Sequence, residues 1–297
     1  MMKKTQSAYI VKSLLVVTGL ALWICQAANA ADMPAQQAFG TQKSPSKDIS
    51  QSIGFYSKGC LAGAKALPVN GPNWQVMRLS RNRNWGHPAL IAFLENLSRK
   101  AAAKNWPGLL VGDLSQPRGG PMLNGHASHQ VGLDADIWFT PMPARTLSEQ
   151  ERETMTGISM LKANSLYVDP KKWSASRTDL LKLAATDPQT ERIFVHPGIK
   201  KYLCDTAGAN QSWLGKIRPY WGHYWHFHVR MKCQSDSPNC QPQPPVPKGS
   251  GCDSSLDWWF TDEPWVPKKT IPPAKPKVMM VSDFPDACAK LVEKTQR

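Results

Sequence analysis

The sequence predicts an α+β fold: a small, mainly antiparallel sheet flanked by helices, followed by an irregular C-terminal region strapped down by disulfides. Three observations carry this expectation. Segments of helical and strand periodicity follow one another in mixed order rather than in the strict alternation of a doubly wound sheet. From Ser235 onward the composition turns rich in proline, with Pro242, Pro244, Pro245, Pro247, Pro272, Pro273 and Pro276. Six of the seven cysteines lie beyond an N-terminal export signal, and an even number in an exported chain suggests three disulfides.

The signal occupies residues 1–30. Lys3, Lys4 and Lys12 form its basic start, an apolar run covers 13–24, and Ala28-Asn29-Ala30 supplies small residues for cleavage after Ala30. The run is too short to span a bilayer comfortably, so no stable membrane insertion is expected. Cys25 follows the bulky Trp23 and Ile24, where lipid attachment would need small residues, and leaves with the signal. Residues 31–55 are polar without a clear period and read as a flexible lead-in.

The first strong helix signal is 88–104, with Leu90, Phe93, Leu94 and Leu97 on one stripe and Pro88 in the first turn. Strand-like runs follow at 108–112, 134–140 and 226–231, a second helical region at 178–185, and a short strand at 192–195. Pro197 then opens a helix ending near Cys204. Three cysteines, Cys240, Cys252 and Cys288, sit in or bound the proline-rich region, which should therefore be fastened to the domain.

The full chain of 297 residues carries a formal charge of +14. Removing the signal takes away three lysines and no acids, leaving 33 basic against 22 acidic residues, or +11. Nucleic acid is not an expected partner of an exported chain; a wall polymer or anionic membrane surface could use such a charge, and solubility alone is the competing reading. Spacing assigns one disulfide, Cys233 with Cys240 across a short polar turn, which contributes about 2 kcal/mol in the chain-entropy picture. Zinc binding by thiolates finds no support, because no CxxC pair exists.

Two motifs carry chemistry. His126-Ala-Ser-His129-Gln-Val-Gly-Leu-Asp134-Ala-Asp136 and His223-Tyr-Trp-His226-Phe-His228 together hold five of the seven histidines. Two histidines and one carboxylate around an open position make up a catalytic zinc site, and point to hydrolysis by metal-activated water. On an extended strand His226, His228 and Arg230 face one side, and Phe227, Val229 and Met231 the other. Asp134 shares a side with Asp136, where it could hold a ligand histidine or cap a turn. His87 and His196 each precede a proline that opens or adjoins a helix and read as structural.

Ser128-His129-Gln-Val-Gly132-Leu-Asp134-Ala-Asp136, joined to His226-Phe-His228, resembles the zinc metallopeptidases that include lysostaphin-type enzymes, D-Ala-D-Ala peptidases and the hedgehog domain. Within that group the chain is most similar to penicillin-insensitive murein endopeptidases, through Gly125–Asp136, Arg192-Ile-Phe-Val-His-Pro197, Lys216-Ile-Arg-Pro219 and the cysteine layout. The resemblance runs from about Ser52 to Cys288. It implies one zinc per chain on His129, Asp136 and His228, with His226 as general base, in a peptidase domain over 56–234 and an extension over 235–297 packed on it. It also implies disulfides Cys60–Cys288 and Cys204–Cys252, and a periplasmic enzyme acting on the D-alanyl–meso-diaminopimelyl cross-links of peptidoglycan.

His126 is placed at a second or outer metal position, or else in a bonded polar loop. Asn164 and Tyr167 stand where a two-metal relative would need an Asp and a His, which favours a single zinc. Arg118, His223 and Arg230 are candidates for contacting substrate, with structural roles as the alternative. Trp221, Trp225, Trp258, Trp259 and Trp265 serve packing and cover of the proline-rich segment; stacking on sugars is the second reading. Two rival functions stay open: a zinc carboxypeptidase or amidase acting on stem peptides, and a non-catalytic wall-binding module with structural zinc.

Overall fold

The computed structural model describes residues 33–266 and 278–293; the expected signal lies outside them. In chain order the elements are α1 Ala35–Gly40, β1 Gln51–Phe55, β2 Lys58–Ala62, β3 Lys65–Ala66, β4 Asn70–Gly71, β5 Trp74–Val76, β6 Trp85–Gly86, α2 Pro88–Ala102, β7 Leu109–Val111 and β8 Asp134–Trp138. There follow α3 Glu149–Thr154, α4 Ala175–Thr186, β9 Thr190–Val195, α5 Pro197–Thr206, β10 Ile217–Pro219, β11 His226–Met231 and α6 Asp286–Glu293. The architecture is α+β, as expected. Seven strands form the main sheet in the order β10-β9-β11-β8-β7-β5-β4. Its pairings are antiparallel except β9 with β10 and β5 with β7.

The sheet has one apolar and one chemical face because side chains alternate along each strand. Phe227, Val229 and Met231 of β11, Ala135 and Ile137 of β8, and Ile193 and Val195 of β9 join a core with Leu90, Leu94 and Leu97 of α2 and Leu180, Leu181 and Ala184 of α4. Each large side chain buried here stabilises the fold by about 1.5–3 kcal/mol relative to exposure. The intervening residues Asp134, Asp136, His226, His228 and Arg230 are left to the other face.

Helices α2 and α5 each begin on a histidine followed by proline. His87 Nδ1 accepts from the Ala89 amide and His196 Nδ1 from the Gly198 amide, with Pro88 and Pro197 in the first turns. These two histidines are therefore helix caps. α2 stops at Ala102, two residues short of the stripe read from sequence, as the chain turns out through Asn105 at φ +62° toward Pro107.

The lead-in departs from expectation. Its first part is helix α1 and its last part is strand β1, and neither is aperiodic in space. Ala35, Ala38 and Phe39 of α1 pack with Ile53 of β1 and with Phe284, Leu291 and Val292 near the C-terminus, in a cluster through which Cys60–Cys288 passes. Six residues are too few to show a helical period or to form a helix unaided; the distant α6 supplies the apolar partner.

Cys204–Cys252 and Cys233–Cys240 complete the disulfides. Between them the chain is irregular, yet it lies on the domain: Arg230 reaches the Gln243 side chain, and Lys200 reaches the Ser250 carbonyl. Among the described residues no helix is long and apolar enough to cross a membrane.

Lys200 is fully buried, its Nζ donating to the carbonyls of Leu214 at 2.7 Å and Ser250 at 2.6 Å. Burial, reinforced by Arg218, pulls its pKa from 10.5 down to about 7. The folded protein thus loses this proton while the unfolded chain still holds it, so stability linked to Lys200 rises from about pH 7 toward 10.5 and shows no such gain below pH 7. Urea unfolding of the wild type and Lys200→Met across that interval should show their difference moving in the wild type's favour as pH rises; a flat difference would contradict the assignment.

Candidate metal centre

The antiparallel register of β8 and β11 sets His228 opposite Asp136, Arg230 opposite Asp134 and His226 opposite Trp138. Side chains paired in this way share a face, so the acids of one strand meet the bases of the other. His129 enters from the loop before β8. Its φ of +66° is uncommon for a residue with a side chain; the Asp134 carboxylate accepts its amide at 3.0 Å and helps hold it there. Gly132, at φ +70°, brings the same loop onto Leu61, where a Cβ would sit 2.4 Å from a methyl carbon.

Both ring nitrogens of His129 and His228 are fixed in role. His129 Nδ1 donates to the Leu114 carbonyl at 2.7 Å, which leaves Nε2 turned to the cluster, where Asp136 draws the imidazole's pKa up against its burial. His228 Nε2 donates to Asp134 Oδ1 at 2.9 Å, which leaves Nδ1. The two free nitrogens both face Asp136 Oδ1, His228 Nδ1 at 3.4 Å and His129 Nε2 at 3.5 Å. His226 Nε2 lies 3.7 Å from the same oxygen. Three buried atoms here, His129 Nε2, Asp136 Oδ1 and His226 Nδ1, have no hydrogen-bond partner.

His126 approaches from the outer side. Its Nε2 contacts Asp113 Oδ2 at 3.1 Å and Asp136 Oδ2 at 3.4 Å. Donor atoms of His126, His129 and Asp136 lie within 4.8 Å of one another, so a group able to hold a metal ion is present. Two triplets thus share His129 and Asp136. In the triplet containing His228 the imidazoles are tied back by their far nitrogens, whereas His126 uses its near nitrogen to hydrogen-bond Asp113.

Sequence reading did not find Asp113. It follows β7, and the backbone bonds Gly112 N to Asp136 O and Asp136 N to Asp113 O hold it beside β8. Its Oδ2 accepts from Arg81 at 3.0 Å, Arg83 at 2.9 Å and His126. The available signal was an acid closing the apolar run Leu109–Val111, which carries no specificity alone.

Three buried carboxylates therefore sit side by side, each held ionised by different neighbours. Burial would raise Asp113, but the hydrogen bond from His126 and the charges of Arg83 and Arg81 outweigh it and bring it to about 2. Asp134 is likewise held below its usual range, because Arg230 and His228 outweigh its burial. Asp136 is also held well down against its burial, chiefly by His226, His129 and His126. Among the described residues no Lys or Arg forms an ion pair with it. Burial lowers His226 to about 4 and His228 to about 3, which keeps both imidazoles neutral near pH 7.

A cleft of about 430 Å³ reaches this cluster from one side, lined by His126, His223, His228, Phe194, Tyr220 and Arg230 among others. A smaller one of about 170 Å³ reaches it from the other side, past Asp136, Trp138, Trp225 and Arg78. The two share His126. His223 thus lies where a substrate contact was expected, half-buried, with its Nδ1 hydrogen-bonded to the Trp221 carbonyl.

Two arginines considered for substrate contact are engaged by the protein itself. Arg118 is buried away from either cleft and donates to the backbone carbonyls of Ser44 and Leu291, joining the lead-in to α6. Arg230 lines the larger cleft, but its guanidinium is engaged by Asp134 and Gln243 and stacked 4.3 Å from the Tyr56 ring.

Residues 52–293 match the sequence profile of the family described as penicillin-insensitive murein endopeptidase. The chain belongs to this family. Relatives bearing that name include one from Haemophilus influenzae, 44% identical over 254 residues that cover 85% of this chain and 86% of the relative. Another, from Salmonella typhi, is 39% identical over 274 residues, covering 90% and 97%. One from Pectobacterium atrosepticum is 44% identical over 229 residues, covering 76% and 81%. The family match begins within β1 and ends at the last residue of α6, so the irregular tail belongs to the family's unit.

Replacing Asp134 by Ala would strip Arg230, His228 and the His129 amide of their shared acceptor. The expected loss is about 3–5 kcal/mol in urea unfolding, the usual scale for a broken buried ion pair. Asp134→Asn, which keeps an acceptor oxygen, should fold but bind a divalent ion roughly 10–100-fold more weakly in a calorimetric titration.

Proposed function

We propose that the chain is a zinc-dependent endopeptidase that hydrolyses the D-alanyl–meso-diaminopimelyl cross-links of peptidoglycan in the periplasm. The observation that carries this reading is Asp136 Oδ1, buried without a hydrogen-bond partner between the aimed nitrogens of His129 and His228. Donors about 2.1 Å from a tetrahedral zinc lie roughly 3.4 Å apart, close to the 3.4 and 3.5 Å found here. His129, Asp136 and His228 would hold the ion, and His126 stands at its outer edge. A zinc ion in such a site supplies Lewis acidity, lowering the pKa of water and polarising a carbonyl.

The protein's own part is orientation and proton transfer. Leu114 and Asp134 fix the tautomers of the two ligand histidines. His226, neutral and with Nε2 turned to the cluster, takes the proton of the attacking water and returns it to the departing amine. Clefts on both sides of the cluster suit a bond in the interior of a cross-linked peptide, which favours an endopeptidase over a carboxypeptidase. A structural zinc would be closed by four protein ligands, and His226 faces the cluster without completing such a set. Three disulfides fit an oxidising compartment outside the cytoplasmic membrane.

Purified mature protein incubated with isolated sacculi should release un-cross-linked muropeptides, cease to do so with chelator, and ignore β-lactams because no acyl-serine forms. His129→Ala and His228→Ala should lose both bound zinc and cleavage. His226→Ala should retain zinc while turnover falls about 10²–10⁴-fold. Full activity in either ligand variant, measured by muropeptide chromatography, would reject the assignment.

A further inference from the structure

Large exposed aromatic rings are confined to one sector of the protein. Tyr220 is 47% exposed, Trp221 43%, Tyr224 39% and Trp258 37%, and Tyr167, stacked on Phe260, is the remaining exposed aromatic among the described residues. Packing of the tail accounts for buried Trp259 but not for this outward display. The exposed rings adjoin one another: Tyr220 meets Trp221 edge-on at 5.3 Å, and Trp221 meets Trp258 edge-on at 6.3 Å, with Trp221 and Trp258 both resting on the buried Trp259.

The surface is also rigid. Trp221 Nε1 donates to the Pro264 carbonyl, Trp258 Nε1 to Glu263, and Trp265 Nε1 to the Trp259 carbonyl, so each indole is locked in orientation. Cys204–Cys252 anchors the tail just before the turn Ser254–Phe260 that supplies these rings. At its inner end the surface runs into the larger cleft, because Tyr220 belongs to both. Exposed Asp257, Asp262 and Glu263 border it, in a chain otherwise strongly basic.

We propose that Tyr220, Trp221 and Trp258 form a saccharide-binding platform that holds the glycan strand of peptidoglycan while its peptide lies in the cleft. The idea rests on the murein reading above. Flat aromatic faces suit the C–H faces of pyranose rings, and carboxylates beside them suit sugar hydroxyls. Those same carboxylates disfavour an anionic partner such as nucleic acid or an acidic lipid surface. In cross-linked murein the stem peptide hangs from the glycan, so a sugar site next to a peptide cleft addresses one continuous substrate. The platform lies in the loop leading into His226 and in the tail, which assigns the tail a role in substrate binding.

The test uses the mature chain and two probes: short uncharged glycan strands of β-1,4-linked N-acetylglucosamine, and cross-linked peptide dimers prepared with and without their disaccharides. Glycan strands should change the wild type's tryptophan fluorescence saturably. Trp221→Ala and Trp258→Ala should each weaken that binding roughly 3–10-fold, the scale of one lost aromatic contact. The same variants should raise KM for the sugar-bearing dimer by that factor and cut the bare dimer like wild type, and Trp→Phe at either position should restore binding.

No response of the wild type to glycan strands overturns the platform, as does an equal loss on both dimers. Should melting curves show that one Ala variant is unfolded, the other variant and the wild-type titration decide. If the wild type cuts neither dimer, the endopeptidase reading fails, while the titration still judges the platform on its own.

Discussion

The antiparallel register between β8 and β11 is the constraint on which the site depends. A slip of one residue would turn Asp134 and Asp136 toward the helices and bring Ala135 and Ile137 to the cleft. The apolar face prevents it. Phe227, Val229 and Met231 have their places among the side chains of α2 and α4, and shifting them would expose several large groups at about 1.5–3 kcal/mol each. The ordinary hydrophobic core on one side of the sheet thus fixes the chemistry on the other to within a fraction of a strand repeat.

Charge decides what that chemistry can be. Burying three carboxylates within one cluster is costly unless each is compensated. Asp134 has Arg230, and Asp113 has Arg81 and Arg83, all within ordinary ion-pair distance. Asp136 has only imidazoles, two of which burial keeps neutral. Its negative charge is therefore directed at the point that the free nitrogens of His129 and His228 also face. The arginine-paired acids serve a different purpose: Asp134 holds a histidine by its outer nitrogen, and Asp113 holds His126 at the edge.

Residues within a single periodic segment were legible from sequence. His226, His228, Asp134 and Asp136 sit on strands where period two reveals the shared face, and His129 sits in a motif with its own spacing. Asp113 was not legible, since its place depends on β7 lying beside β8, a contact that no local pattern announces. The partner of Arg118 was not legible for a similar reason. α6 arrives from the far end of the chain and takes up its guanidinium through the Leu291 carbonyl. α1 escaped notice for the same reason, as its apolar face is covered by α6 across the Cys60–Cys288 link, while β1 pairs with β2 in a hairpin that adds Ile53 to the same cluster.

The tail illustrates why composition alone misjudges an irregular segment. Proline-rich sequence implies only that no regular element forms; it does not imply separation from the working parts. Gln243 accepts from Arg230 at 2.9 Å, Arg230 donates to Asp134 at 2.8 Å, and Asp134 accepts from His228 at 2.9 Å. Three hydrogen bonds thus connect the proline-rich strap to an imidazole aimed at Asp136. Arg230 is also flanked by the rings of Tyr56 and Phe194, and with Gln243 on its guanidinium only 5% of the residue stays exposed although it lines the cleft. Excluding water there strengthens the Arg230–Asp134 pair, and through it the orientation of His228. The disulfides that fasten the strap therefore act on the site as well as on the stability of the fold.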